Sequence, residues 1–315
     1  MNALDRDFSR LFLRSVGKPL RERVLLRNFS NFRIGGPADY FFEAKAVEEL
    51  KSAIHLARGR GVPFYVVGGG FNLLFDDEGF RGLIVKNSMP GLSLVEAGSF
   101  LKASAGTGLN ELVDFAAENG LEGLEFLAGI PGTVGGAVYG NAGAFGQCIG
   151  DFVENAYLWQ AEGGEFRAPR DYFAFAYRYS RLKIKHDILL ETVFRLRHGN
   201  KNNIRAKMKE YLDVRAEKHP PLKTACAGSY FKNPVLPDGT KAPAGYLLEQ
   251  VGARELRVGG AAVYPGHSNF LINKENASAR DVLGLARELK KRVRERFGIE
   301  LEEEVIFLPA SGSDF

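Results

Sequence analysis

The chain has 315 residues, 45% hydrophobic and 25% charged, with a formal net charge of +4. That length suits two or three domains with substantial cores. So small a charge gives no electrostatic case for nucleic acid and favours an anionic small substrate only mildly.

The opening MNALDRDFSRLFLRSVG has no long apolar core, so no secretory leader is expected. Tyr40–Ala44 reads as a strand. AVEELKSAIHLARGRG follows as an amphipathic helix with Val47, Leu50, Ile54 and Ala57 on one face and a glycine at its end. PFYVVGGG is a strand running into a glycine turn, and FRGLIVKN is another strand. A second unit begins near Gly91 with the short strands SLVEAG and FLKASAG. LNELVDFAAENG is a helix with Leu109, Leu112, Phe115 and Ala116 on one side, and VENAYLWQ and ILLETVFRL are strands. The polar stretch RHGNKNN marks a boundary. The third unit contains the helices IRAKMKEYLDVRAEK and GYLLEQVG, the strand NFLINK and a long helix, SARDVLGLARELKKRVRERFG. Ala279, Val282, Leu283, Ala286, Leu289 and Val293 form the apolar stripe of that long helix; its basic residues are the wet face, Ser278 is its cap, and Asp281 stands three residues on. IELEEEVIFL closes the unit as a strand. The expected divisions are 1–88, 89–198 and 199–310, with 311–315 a flexible tail.

Two stretches are unusually rich in glycine. The longest uncharged run, from Phe126 to Gly150, carries eight glycines and a proline, so it reads as loop and not as a membrane span. The earlier VVGGGFNLLFDDEGFRG places Gly68, Gly69 and Gly70 after a strand, where backbone N–H groups can form an anion nest. Neither common nucleotide signature is present: GGGFNL has Leu73 where GxGxxG needs glycine, and no GK[ST] follows. Two such loops in neighbouring α/β units are able to close around one long diphosphate cofactor. Cys148 and Cys226 lie far apart and the five histidines show no ligand spacing, which argues for no disulfide framework, no metal site and a reducing cytoplasm.

FRIGGPADYF, VVGGGFNLLFDDEGFRG, GIPGTVGGAVYGNAGAFG, YRYS, AGSYFKNP, LRVGGAAVYPGHSNFLIN and FGIELEEEV occur in the order seen in UDP-N-acetylenolpyruvoylglucosamine reductases. The chain resembles that family from about Asn28 to Leu308. The resemblance implies an α+β fold: a two-subdomain FAD-binding region of the vanillyl-alcohol-oxidase type, then a C-terminal substrate domain. It also implies noncovalent FAD, NADPH as hydride donor and UDP-N-acetylglucosamine enolpyruvate as substrate, in a cytoplasmic enzyme of peptidoglycan precursor synthesis. A monomer without nucleic-acid or membrane partners is expected.

By the same resemblance Gly68, Gly69, Gly70, Phe71, Asn72 and Leu73 match the loop that holds the FAD diphosphate. Gly129, Ile130, Pro131, Gly132, Thr133, Gly135 and Gly136 match its partner near the diphosphate and ring system, and Asn141, Gly143 and Ala144 continue that wall. Phe71 departs from the pattern, which usually has serine there, and so removes one hydroxyl donor. Gly140 stands where methionine is common.

Read on the residues alone, Ser229 is a turn serine, Glu304 a solvated edge acid and Arg178 a stacked structural arginine. The resemblance gives each a role instead. Ser229 matches the proton donor, Arg178 the arginine of YRxS and Glu304 the second acid of LExEV. The diphosphate of a UDP-sugar needs donors: Lys232 and Asn233 suit it by charge and amide character, Lys218 is expected to approach it, and His267 matches a polar substrate contact of the family. Only 50 residues lie between Arg178 and Ser229, which fits the shorter family form without an inserted tyrosine loop. Cys226 is expected to be a small packed side chain. Two other readings stand beside this one: an FAD-dependent sugar or alcohol oxidase, and a cofactor-binding scaffold without catalysis.

Overall fold

The computed structural model describes residues 3–95, 99–236 and 239–312. The end of the expected strand SLVEAG and the last residues of the tail lie outside them. Three hydrophobic regions organise the chain.

In the first, Pro37–Ala44 and Phe64–Val67 both run parallel to Phe80–Asn87, with the helix Val47–Gly59 as their crossover. Arg21–Leu25 adds an antiparallel edge. Leu50, Ile54 and Ala57 are buried as their spacing requires, and Val47 packs beside them. The N-terminal helix Ala3–Val16 covers this sheet with Phe8 and Phe12, which meet Tyr40 and Phe42.

The second region is an antiparallel sheet in the spatial order Gly164–Pro169, Val153–Gln160, Ile188–Arg195, Phe100–Ser104, Leu92–Val95. The helix Leu109–Glu118 lies in its core with Leu109, Leu112 and Ala116 buried. The glycine-rich run is not all loop. Val134–Gly140 is a helix, N-capped by the Thr133 hydroxyl, which accepts from the Gly136 N–H at 3.3 Å, and ended by Asn141 at φ 46°. Its glycines cost up to about 1 kcal/mol each. Burial of Val134 and Val138, at about 1.5–3 kcal/mol each, outweighs that cost.

The third region has the helices Ala244–Gln250 and Ala279–Phe297 and a small sheet ending in Leu271–Asn273; the helix Lys201–Lys218, read from the sequence as part of this unit, instead buries Ile204 and Met208 in the core of the second region. The long helix has the expected capping box. Ser278 Oγ accepts from the Asp281 N–H and Asp281 Oδ2 from the Ser278 N–H, both at 3.0 Å. Hydrogen bonds from the Ser278 and Gly260 N–H groups hold the Asp281 carboxyl below its ordinary pKa. Asp77, from the first region, also accepts from the N–H groups of Ala279 and Arg280. The closing strand differs from expectation. Only Ile306–Leu308 is strand, and it pairs parallel to Leu73–Phe75 of the first region. The preceding acids Glu302–Glu304 instead lie against Tyr230–Lys232, linked by Lys232 N–H to Glu302 O and Glu304 N–H to Tyr230 O, each at 2.8 Å. The C-terminus therefore runs from the segment holding Ser229 directly into the glycine loop. Cys226 is buried, as expected, and burial raises its thiol pKa. Among the described residues no helix is long and apolar enough to cross a membrane, and no cluster of His, Cys, Asp or Glu suits a metal.

Candidate active site

The two glycine loops face each other. A Cβ on Gly68 would stand 2.4 Å from Thr133 Oγ1, so only glycine permits this approach. Across the gap, Gly132 has φ 145°, and a Cβ there would meet nothing within 4 Å. It points into open space. Among the described residues, the N–H groups of Gly69, Gly70, Phe71, Asn72, Gly132 and Thr133 donate to no protein acceptor. Unpaired backbone donors on two opposed glycine loops suit a diphosphate. The residues present thus fit an FAD diphosphate. Phe71 brings no hydroxyl; its ring folds over Gly69.

Other members of the expected cofactor wall are otherwise engaged. Leu73 is the first residue of a strand, 8% exposed, with its side chain in the core. Gly129 N–H donates to Asn110 Oδ1, Ile130 N–H to Leu127 O and Gly135 N–H to Ala105 O. Pro131 has no N–H to offer, and the Gly136 N–H is spent on the cap. Asn141 uses its amide inside the protein, donating to Ala176 O at 2.8 Å and accepting from Gly150 N–H at 3.0 Å. Gly143 and Ala144 form a small hairpin with Gln147 and Cys148.

Beyond the loops, the structure joins the residues drawn from distant motifs. Arg178 Nε lies 2.6 Å from Glu304 Oε1, with the two side chains 22% and 20% exposed. The Nε–H does not point along that line, so the contact is an ion pair and not an aligned hydrogen bond. Arg178 Nη1 donates to Gly143 O at 3.1 Å. Burial opposes the guanidinium charge, but the Glu304 carboxylate overcomes it and raises the pKa above its ordinary value. Asn72 of the first glycine loop donates through Nδ2 to Glu304 O at 3.0 Å. One bond therefore ties the first glycine loop to Glu304.

Ser229 follows Gly228, which has φ 76°, and is half-buried. Its hydroxyl makes no hydrogen bond to another described residue and so is free for a ligand. It neighbours Tyr230, whose carbonyl accepts from Glu304 N–H. Lys232 is ion-paired with Glu302. Asn233 is tied on both sides: its N–H donates to Tyr177 Oη at 3.1 Å, and its Oδ1 accepts from Ala244 N–H at 2.9 Å. Lys218 is exposed in the last turn of Lys201–Lys218. His267 stands farther along this side, packed with His219 and Phe270. Two surface depressions, bounded by Gln250, Val251 and Arg292 and by Arg170, Asp171 and Phe175, contain none of these residues.

Sequence reasoning missed three neighbours. Tyr177 stacks under both Arg178 and Lys241, at 5.4 and 3.9 Å from the ring centre. Lys183 donates to Arg178 O at 2.8 Å. Arg215 donates to Phe126 O at 3.0 Å and lies over the Phe145 ring. The first two belong to the same YRYSRLK stretch as Arg178, which was the signal available. Arg215 looks like any exposed helix arginine until the fold is known.

His219 supplies a pH-dependent expectation. Burial, with help from Arg215, His267 and Lys218, pulls its imidazole from 6.5 down to about 4. The folded protein keeps it neutral where the unfolded chain takes a proton. Its contribution is therefore complete above about pH 6.5 and is lost as pH falls toward 4. The urea midpoint is expected to fall between pH 7 and pH 5, and less steeply in His219→Phe. An equal fall in both proteins would contradict the assignment.

Relatives agree with this geometry. Residues 220–308 match the UDP-N-acetylenolpyruvoylglucosamine reductase C-terminal domain, and residues 38–168 match an FAD binding domain. The UDP-N-acetylenolpyruvoylglucosamine reductase of Solibacter usitatus is 42% identical over 298 residues, covering 89% of this chain and 94% of that protein. The one from Geobacter metallireducens is 39% identical, covering 96% and 97%. The crystal structure of UDP-N-acetylenolpyruvylglucosamine reductase from Thermus caldophilus superposes with a TM-score of 0.75 at 35% identity, covering 91% of this chain and 99% of that one. These matches span both the glycine loops and the segment bearing Ser229 and Glu304, and the chain belongs to the UDP-N-acetylenolpyruvoylglucosamine reductase family.

Proposed function

We propose that Arg178, Glu304 and Ser229 are the catalytic set of this reductase, and that the opposed loops at Gly68–Asn72 and Gly132–Thr133 hold its FAD. The reaction is the NADPH-dependent reduction of UDP-N-acetylglucosamine enolpyruvate to UDP-N-acetylmuramate. The observation that supports the assignment is the Arg178–Glu304 contact, joined through Glu304 N–H to Tyr230 O to the segment of Ser229, whose hydroxyl makes no hydrogen bond to another described residue.

FAD, when bound, relays hydride from NADPH to C3 of the enolpyruvyl group. The chain's own residues handle the charge and the proton. Negative charge grows on the carboxylate side as C3 gains hydride, and Arg178, held by Glu304 and the Gly143 carbonyl, is the donor proposed to meet it. Fixed donors aimed at a developing charge need no reorganisation, which is why they lower a barrier. Ser229 gives its proton to C2, completing the addition of hydride and proton across the double bond. A serine hydroxyl is a weak acid, so this role depends on its placement against a strongly basic carbon.

Lys232 and Asn233, three and four residues beyond Ser229, suit the UDP diphosphate, with Lys218 and His267 as further polar contacts to the substrate. The Glu302 partner of Lys232 would then exchange for phosphate oxygen. We further propose the divisions 1–88, 89–198 and 199–310, a monomeric state and a cytoplasmic location.

Arg178→Ala removes the charge-stabilising donor. Loss of one such donor typically costs about 10²–10³ in kcat. Steady-state kinetics with NADPH and the enolpyruvyl UDP-sugar is expected to show a fall of that order. A kcat within about threefold of the parent's would exclude Arg178 from the catalytic set, since threefold is far below such a loss.

A further inference from the structure

We propose that Lys183 is a positioning residue that sets the catalytic arginine through its backbone. The proposal rests on the role given to Arg178 above. Arg178 has φ 54°, a left-handed conformation uncommon for a residue with a long side chain. It occupies the tip of a tight hairpin in which Ala176 and Tyr179 exchange N–H to carbonyl bonds, each 3.1 Å. Asn141 holds one flank through Ala176 O, and Ser180 Oγ donates to Tyr139 O at 2.7 Å on the other. The carbonyl of Arg178 itself receives Lys183 Nζ at 2.8 Å.

Lys183 is half-buried, and its ammonium lies 5.5 Å from the centre of the Tyr139 ring. Among the described residues it forms no ion pair, whereas Arg178 has Glu304 and Lys232 has Glu302. Burial and the nearby Lys232 lower its pKa from the ordinary lysine value. A lysine that served only to satisfy local charge would sit against a carboxylate. This one is turned onto the carbonyl of a residue whose backbone is strained. Fixing that carbonyl fixes the peptide plane after Arg178, and with it the direction in which the side chain leaves toward Gly143 O and Glu304. Misplacement of a catalytic group by about 1 Å can cost on the order of 10²-fold in rate.

The test uses the holoenzyme and anaerobic stopped flow. Flavin absorbance follows bleaching by NADPH and recovery on adding UDP-N-acetylglucosamine enolpyruvate. The variants are Lys183→Met, Lys183→Arg, Arg178→Ala and the doubles. Lys183→Met is expected to slow recovery about 10- to 100-fold, and by at least tenfold more than it slows bleaching. Lys183→Arg, which keeps a donor to the carbonyl, is expected to restore most of the rate. The decisive comparison is the double variant. A residue acting through Arg178 adds no further loss once Arg178 is alanine, whereas an independent contact multiplies the two losses.

Multiplied losses, or a Lys183→Met recovery rate equal to the parent's, would overturn the inference. If Lys183→Met does not fold with full FAD content, Lys183→Arg decides alone: recovery as slow as in Arg178→Ala overturns the proposal. The catalytic reading fails separately, if Arg178→Ala itself recovers at the parent rate.

Discussion

Ser229→Ala is expected to retain its fold and FAD while losing about 10²–10⁴ in the rate of substrate reduction, the usual cost of removing one positioned proton donor. The structure explains why the fold should survive. The Ser229 hydroxyl is half-buried and holds no other described residue, while the backbone around it is fixed by Tyr230 N–H to Asn269 O and Glu304 N–H to Tyr230 O, both 2.8 Å. Bleaching by NADPH is expected to continue, because it needs no proton from Ser229. The recovery phase carries the whole loss. Ser229→Cys restores part of it, since a thiol is also an acid. Equal slowing of both phases would show that Ser229 organises the site and does not protonate C2.

Gly132→Val is expected to yield protein without FAD. Two effects act together. At φ 145° a β-branched residue is strained whatever its surroundings. Its side chain also projects into the open space between the two loops, where a Cβ touches no protein atom. Because a Cβ there meets no protein atom, the folded core loses little packing and circular dichroism should stay near that of the parent. Flavin titration of the purified variant checks this. Stoichiometric FAD binding at micromolar concentration would mean that the diphosphate lies elsewhere. Gly140→Ala is a control, because a Cβ there also meets no atom but lies at the far end of the helix.

Much of this arrangement was legible in the residues, for physical reasons that differ by element. The helix at Val47–Gly59 and the strand Phe80–Asn87 follow from local periodicity, and both appear as read. The capping of Ala279–Phe297 by Ser278 and Asp281 was visible because a cap is a local interaction. Two glycine loops suggested a diphosphate, and they meet at Gly68 and Thr133.

What escaped was set by tertiary contact. Val134–Gly140 looks too rich in glycine for a helix, and only the burial of its valines in a sheet formed from distant strands makes it one. The edge strand Gly164–Pro169 has no apolar alternation and exists by pairing with Val153–Gln160. The C-terminal strand was recognisable as strand, but its partner at Leu73–Phe75 lies across the whole chain. That pairing puts Glu304 beside Arg178. Lys183 had only its place in the YRYSRLK stretch to mark it and Arg215 had nothing, because lysine and arginine are common on helices; what sets both apart is partial burial without a carboxylate partner among the described residues.

In the proposed mechanism the Arg178, Glu304 and Ser229 side chains serve an enolpyruvyl reduction at an FAD held by the two glycine loops. The most direct measurement is an anaerobic absorbance titration of the purified protein. NADPH is added until the flavin band bleaches, then UDP-N-acetylglucosamine enolpyruvate is added and the product is analysed. The band is expected to return in full, with one UDP-N-acetylmuramate formed per flavin. A band that stays bleached after the enolpyruvyl sugar is added, and returns only with oxygen, would contradict that mechanism.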